Sequence, residues 1–107
     1  MEPLLVLTNV PDQATAEKLA RMLIESHAAA CVNVLPAGRS IYRWQGRVEQ
    51  ADEIPLMIKS TAASYAAVEK IVRAQHPYDV PELIAIPITH GLPAYLDWLA
   101  QETERHD

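Results

Sequence analysis

Cys31 and His76 are the side chains best suited by type to hold a soft metal ion, and Glu82 follows the histidine within the same short stretch. Thiolate and imidazole favour copper or zinc, whereas a carboxylate adds charge and suits harder cations. Cys31 is the only cysteine, so the chain offers no intrachain disulfide and no CxxC metal or redox pair. It stands in the apolar run Cys31-Val32-Asn33-Val34-Leu35, where a lone cysteine also reads as a small buried hydrophobe. His76 has Pro77 behind it and Tyr78, Asp79 and Glu82 close by. The competing reading for it is a helix C-terminal histidine, whose positive form suits the dipole. His90 is a ligand candidate or a polar loop residue before Gly91, while His27 and His106 receive no role.

Catalysis finds little support. Thr8-Asn9-Val10-Pro11-Asp12 follows the first strand, where a phosphate-binding loop would need glycines. No Ser/His/Asp or Cys/His order matches a local nucleophile signature, so no catalytic residue is assigned and an enzyme is not expected. Lys and Arg number 9 against 14 Asp and Glu, a formal net charge of −5. That balance disfavours nucleic-acid binding, which rests largely on neutralising phosphates. No apolar run approaches the ~20 residues that cross a bilayer. Met1-Glu2-Pro3 lacks the basic start of a signal peptide, so a cytoplasmic protein is expected. With 107 residues, half of them apolar, the chain is expected to form a single domain spanning residues 1–107.

The elements that must position these residues centre on Ala30 to Ser60. Two runs of strand formers flank Gln45-Gly46, whose glycine supplies the positive φ of a tight hairpin turn. A two-residue turn sets Trp44 opposite Arg47, Tyr42 opposite Glu49 and Pro36 opposite Pro55. Each arm would be about fifteen residues, or roughly 50 Å, longer than a small domain can cover. Pro36 and Gly38 predict a bulge or bend in the first arm, and Pro55 a break in the second at the same level. The ribbon then divides into an apolar base and a tip, Arg39 to Ile54, of mixed aromatic and charged residues.

Around it, Leu4 to Leu7 reads as a strand covered on both faces. Asp12 is a helix N-cap, followed by Ala16, Leu19, Ala20, Leu23, Ile24 and His27 at helical spacing. Ser60 or Thr61 caps a second helix carrying Tyr65, Val68, Ile71 and Val72, which ends at His76-Pro77. Leu83 to Ile88 is a strand in which Pro87 marks an edge or a break. Pro93 suits the first turn of a last helix, and the tail from Gln101 is expected to fray. The order strand, helix, strand, strand, helix, strand, plus one helix, fits an α+β, ferredoxin-like βαββαβ sandwich with a long hairpin.

Ala30-Cys31-Val32-Asn33, Ser40-Ile41-Tyr42-Arg43-Trp44-Gln45-Gly46, His76-Pro77-Tyr78-Asp79-Val80-Pro81-Glu82 and Gly91 through Tyr95 to Trp98 occur in that order. Together they resemble the CutA family of divalent-cation tolerance proteins, over nearly the whole chain. The resemblance implies a ferredoxin-like fold, a compact homotrimer in which hairpins pack across subunits, and an association with copper or other divalent cations. Tyr42, Trp44 and Trp98 are then expected at the trimer interface. Burying one tryptophan removes about 150–250 Å² of surface, an upper estimate of roughly 4–6 kcal/mol before ordering costs. Some relatives carry a cysteine at the end of the first strand and a His-His pair before Pro-Tyr. Thr8 and Gln75 stand at those positions here, so the implied metal set shrinks to His76, Glu82 and Cys31, with copper(II) or another divalent ion held weakly.

An alternative reading is a trimeric small-molecule sensor of the P-II type. An anion or nucleotide would then sit in clefts between subunits, with Arg39, Arg43, Arg47 or Lys59 as contacts. The tight turn at Gln45-Gly46, in place of a long flexible loop, counts against it. A third reading is a structural trimer that serves an unidentified partner protein.

Overall fold

The computed structural model describes residues 1–104. His106 lies outside the described residues. The elements run β1 (Pro3–Val10), α1 (Gln13–Glu25), β2 (Cys31–Val34), β3 (Gly38–Trp44), β4 (Arg47–Thr61), α2 (Tyr65–Gln75), β5 (Leu83–Pro87) and α3 (Pro93–Glu102), with one 3₁₀ turn at Ala62–Ser64. Strands β2, β4, β1 and β5 lie side by side in that order, every neighbouring pair antiparallel, and β3 pairs with β4 beyond the sheet.

Alternation along β1 divides the sheet into two faces. Leu4, Val6, Thr8 and Val10 are buried, while Leu5, Leu7 and Asn9 are half-covered. The strand thus has one closed face and one partly open face, and it extends past Leu7 to Val10. The closed face joins Leu56 and Ile58 of β4 to Leu19 and Leu23 of α1 and Val68 and Val72 of α2 in one apolar core. α1 begins where Asp12 accepts the Thr15 N–H at 2.7 Å, the expected N-cap. It stops at Glu25, so His27 lies past its end with φ of 62°, and Ile24 is exposed rather than packed. Thr61, one of the two residues expected to cap the second helical segment, accepts the Ser64 N–H at 3.3 Å. His76 is extended before Pro77 and ends α2 as expected.

The turn at Gln45-Gly46 has both residues at positive φ, 51° and 80°, the type I′ geometry that matches strand twist. It sets Trp44 opposite Arg47 and Tyr42 opposite Glu49, as the spacing predicts. The base departs from that register. Cys31 pairs with Lys59 and Val34 with Leu56, one step out of phase with Gly38 opposite Glu53. Leu35-Pro36-Ala37 opposes only Ile54-Pro55, so the first arm carries the extra residue of a bulge.

Pro55, expected to break the second arm, does not: β4 is continuous from Arg47 to Thr61. Its carbonyl accepts the Leu35 N–H at 3.0 Å. A strand residue directs N–H and C=O to the same neighbour, so the missing donor of Pro55 faces the bulge, where no ladder bond is lost. With the distal ribbon included, the chain measures 44 Å along its longest axis against 28 and 23 Å.

Pro87 ends β5 on the sheet edge, as expected of a strand proline. α3 packs apart from the main core. Its Leu99 is fully buried outside the principal cluster, and Tyr95 reaches Cys31, whose partner Lys59 lies on the partly open face. The end of α3 is tied down rather than frayed. Thr103 is buried and its hydroxyl donates to the Leu99 carbonyl at 2.8 Å, while the Glu102 carbonyl meets His27 Nδ1 at 2.9 Å.

Candidate functional site

His76 is held by the sheet it follows. The Asn9–Pro55 pair exchanges no ladder bonds, because the Pro55 carbonyl points to Leu35. Asn9 therefore directs its carbonyl toward β5, whose pairing with β1 stops at Leu83 opposite Thr8. His76 Nε2 fills that position at 2.6 Å from the Asn9 oxygen. The Tyr78 N–H lies 3.2 Å from Nδ1. A carbonyl only accepts and an amide N–H only donates, so the ring is the neutral Nε2–H tautomer with both nitrogens engaged. The imidazole is 6% exposed and stacks at a tilt on Tyr78, ring centroids 4.7 Å apart. The neighbouring loop is pinned a second time, where the Thr8 hydroxyl donates to the Glu82 carbonyl at 2.6 Å.

This loop faces the ribbon across a cleft of about 830 Å³. Ser40, Tyr42 and Trp44 share one ribbon face by strand parity and form its wall, and Tyr78 to Glu82 form the opposite side. At its floor lies Glu53, only 8% exposed. Opposite it in β3 is Gly38, which has no side chain to cover a carboxylate. Burial and then the Glu53 carboxylate raise the Tyr78 phenol above its ordinary pKa, and Tyr42 adds to the effect. Sequence reasoning passed over Glu53. The signal was present in the hairpin register, which gives Glu53 the same parity as Tyr42 and Trp44.

The remaining candidates lie elsewhere. Cys31 is half-buried with its sulfur 3.9 Å from Lys59 Nζ. The Lys59 ammonium also donates to Asn33 Oδ1, and burial followed by the Cys31 sulfur raises the Tyr95 phenol. Arg39 pairs with Asp52 at 3.6 Å, both exposed. It shares with Arg43 the ribbon face opposite Tyr42 and Trp44, while Lys59 sits at the base. The three cations therefore form no common anion site. Nor do the metal candidates converge: among the described residues no group of three His, Cys, Asp or Glu side chains can hold an ion. His76 has no free ring nitrogen, and a lysine ammonium stands beside Cys31. One chain alone does not fit a closed copper centre.

Trp44, Tyr42 and Trp98 are each exposed, at 48%, 42% and 39%. Tyr95 and Trp98 form a tilted pair 5.6 Å apart. Ile84 and Ile86 of β5 are exposed too, on the partly open sheet face. Among the described residues no helix is long and apolar enough to cross a membrane.

The family model for the CutA1 divalent ion tolerance protein matches residues 4–102. The "Divalent-cation tolerance protein CutA" of Thermus thermophilus is 45% identical over 98 residues, covering 92% of this chain and 95% of that protein. "Protein CutA" of Mus musculus is 43% identical over 94 residues, 88% of this chain and 53% of its own length. Among solved structures, the Thermus thermophilus Cut A1 protein superimposes with a TM-score of 0.94 at 43% identity, covering 95% of this chain and 99% of that one. A structure described as the periplasmic divalent cation tolerance protein CutA of Archaeoglobus fulgidus gives 0.91 at 35% identity, over 97% and 100% of the two chains. The loop His76–Glu82, the aromatic ribbon and the sheet that joins them are thus features of a chain that belongs to the CutA family of divalent-cation tolerance proteins.

Proposed function

We propose that this chain is a non-enzymatic cytoplasmic protein built as a homotrimer of ferredoxin-like subunits. It binds copper or other divalent ions weakly and contributes to the response to them. The observation that carries this reading is the family match across residues 4–102. The strand order β2-β4-β1-β5, all antiparallel with α1 and α2 on one face, supports the ferredoxin-like description.

Assembly is supported by what one chain leaves uncovered. Tyr42 and Trp44 on the ribbon, and Ile84, Ile86 and Trp98 on the body, are large apolar side chains in contact with water. Surfaces of this kind on a stable protein mark places where another chain packs. Metal binding then depends on that assembly, because the residues of one chain gather no set of three ligands. Cys31 or Glu82 would be completed by ligands from a neighbouring subunit, with His76 shaping the loop.

Sedimentation of the purified chain tests the trimer. Calorimetric titration of copper(II) into wild type, Cys31→Ala and His76→Ala tests the site. Equal and negligible heats in all three would reject metal binding at these residues. The P-II-like alternative finds less support, since the cleft beside the ribbon is lined by Glu53, Asp79 and Glu82 and by no basic residue.

A further inference from the structure

We propose that the His76–Glu82 loop and the ribbon are coupled, so that packing of the ribbon against a neighbouring chain fixes the loop, and loosening the loop weakens that packing. The inference rests on the homotrimer reading and adds to it a link between assembly and the loop that carries Glu82.

The first argument is how the loop is held. Residues 77–81 belong to no helix or strand, and among the described residues they make no backbone–backbone hydrogen bond. The two ends are fastened to β1 by side chains, His76 Nε2–H to the Asn9 carbonyl and the Thr8 hydroxyl to the Glu82 carbonyl, each at 2.6 Å. A segment held by so few bonds opens at low free energy, so each bond weighs heavily in its order.

The second argument is that the middle of the loop is fastened to the ribbon instead. The Tyr78 phenol is hydrogen-bonded to the Glu53 carboxylate. Glu53 stands in the last rung before the bulge, opposite Gly38, and shares the ribbon face of Tyr42 and Trp44. It is buried, and among the described residues no basic side chain pairs with it. If Tyr78 leaves with the loop, a buried carboxylate loses its partner, which is costly until water reaches it. Rehydration requires the ribbon root to part from the loop, so the two open together.

The third argument is where a neighbouring chain would act. Tyr42 and Trp44, the ribbon side chains given to that contact, line the same cleft as Tyr78, Asp79 and Glu82. A chain seated on Tyr42 and Trp44 therefore restrains the ribbon to which the loop is tied. By linkage the effect runs both ways: whatever fixes the loop strengthens assembly by the factor by which assembly strengthens its binding.

The test uses the full chain and two variants that leave Tyr42 and Trp44 in place. Tyr78→Phe keeps the ring on His76 and removes only the phenol oxygen. Thr8→Val removes the bond to the Glu82 carbonyl, which touches no ribbon residue. Amide exchange is read by mass spectrometry over residues 78–82 and 40–44, and the oligomer is diluted in sedimentation runs. In both variants exchange should rise by about tenfold or more in the loop and in the ribbon, with thermal melts showing a folded chain. The concentration at which the oligomer dissociates should rise by about fivefold or more. A loop loosened in either variant, with residues 40–44 and the dissociation concentration at wild-type values, would overturn the coupling. A loop as protected in both variants as in wild type would overturn it too, by showing that these bonds do not hold it. A wild type monomeric at every concentration would overturn the homotrimer reading and with it the link to assembly, whereas intact assembly with uncoupled exchange overturns this inference alone.

Discussion

His76 Nε2 lies 2.6 Å from the main-chain oxygen of Asn9, a residue 67 positions earlier. This bond joins the end of α2 to the end of β1, and it fixes where the loop Pro77–Glu82 leaves the sheet. The histidine is a positioning residue. Replacing it with alanine strands a carbonyl that the ladder cannot serve and removes a ring packed on Tyr78. His76→Ala should cost about 1–3 kcal/mol of stability by urea denaturation. An unchanged midpoint would show that the loop holds its place without the ring.

Trp44 stands nearly half-exposed on the ribbon. If a neighbouring chain covers it, Trp44→Glu places an unpaired charge in that contact. The variant should sediment as a smaller species than wild type while keeping its far-UV spectrum. A variant that keeps the wild-type mass would remove Trp44 from the interface.

Asp12 accepts the Thr15 N–H, and this bond lowers its pKa below the ordinary carboxylate value. The folded state therefore holds the ionised form more strongly than the unfolded chain does. Its contribution is full above the ordinary Asp value and fades as pH falls through the lowered one. Asp12→Asn should flatten the acid limb of the stability curve, with little change in the slope near neutrality. Identical acid limbs would show that the cap carries no linked proton.

Tyr78 has a raised phenol pKa, chiefly through burial and next through Glu53. For a neutral acid the sign is opposite to that of Asp12. The unfolded chain loses the proton first, so stability falls as pH rises from the ordinary phenol range toward the folded value. Ultraviolet titration of wild type against Tyr78→Phe should isolate a late-ionising phenol, and Glu53→Gln should bring its transition down. A transition unmoved by Glu53→Gln would leave burial, with the smaller effect of Tyr42, as the cause.

The Gly46 backbone sits at φ of 80°, where a side chain is strained even though open space surrounds it. Gly46→Ala should destabilise by about 1 kcal/mol through the turn alone. A chemical-denaturation midpoint equal to wild type would mean that the turn relaxes to another type.

The distal ribbon was readable from the sequence because a two-residue turn dictates pairing outward from itself. Tyr42 opposite Glu49 follows from Gln45-Gly46 alone. The base was not readable to the residue, because Leu35-Pro36-Ala37 absorbs one extra position and shifts Cys31 to Lys59. Pro55 misled because a proline in a strand is a defect only where its missing donor had a partner, and local sequence does not say which side that donor faces. The site was legible in part. His76 and Glu82 announced the loop, yet the partner of His76 is a main-chain oxygen of Asn9, which side-chain chemistry does not point to. Cys31, His76 and Glu82 were grouped by side-chain type, and type does not say that within one chain the three fail to converge.

β4 is one unbroken strand of fifteen residues, and it belongs both to the central sheet and to the outlying ribbon. Mechanically it is a beam built into a wall at one end. Whatever grips the free end loads the embedded end, since no hinge intervenes between Arg47 and Thr61. Amide exchange at Leu56 and Ile58, deep in the core, would then register events at Trp44, which makes the buried middle of this protein a gauge of what its tip is holding.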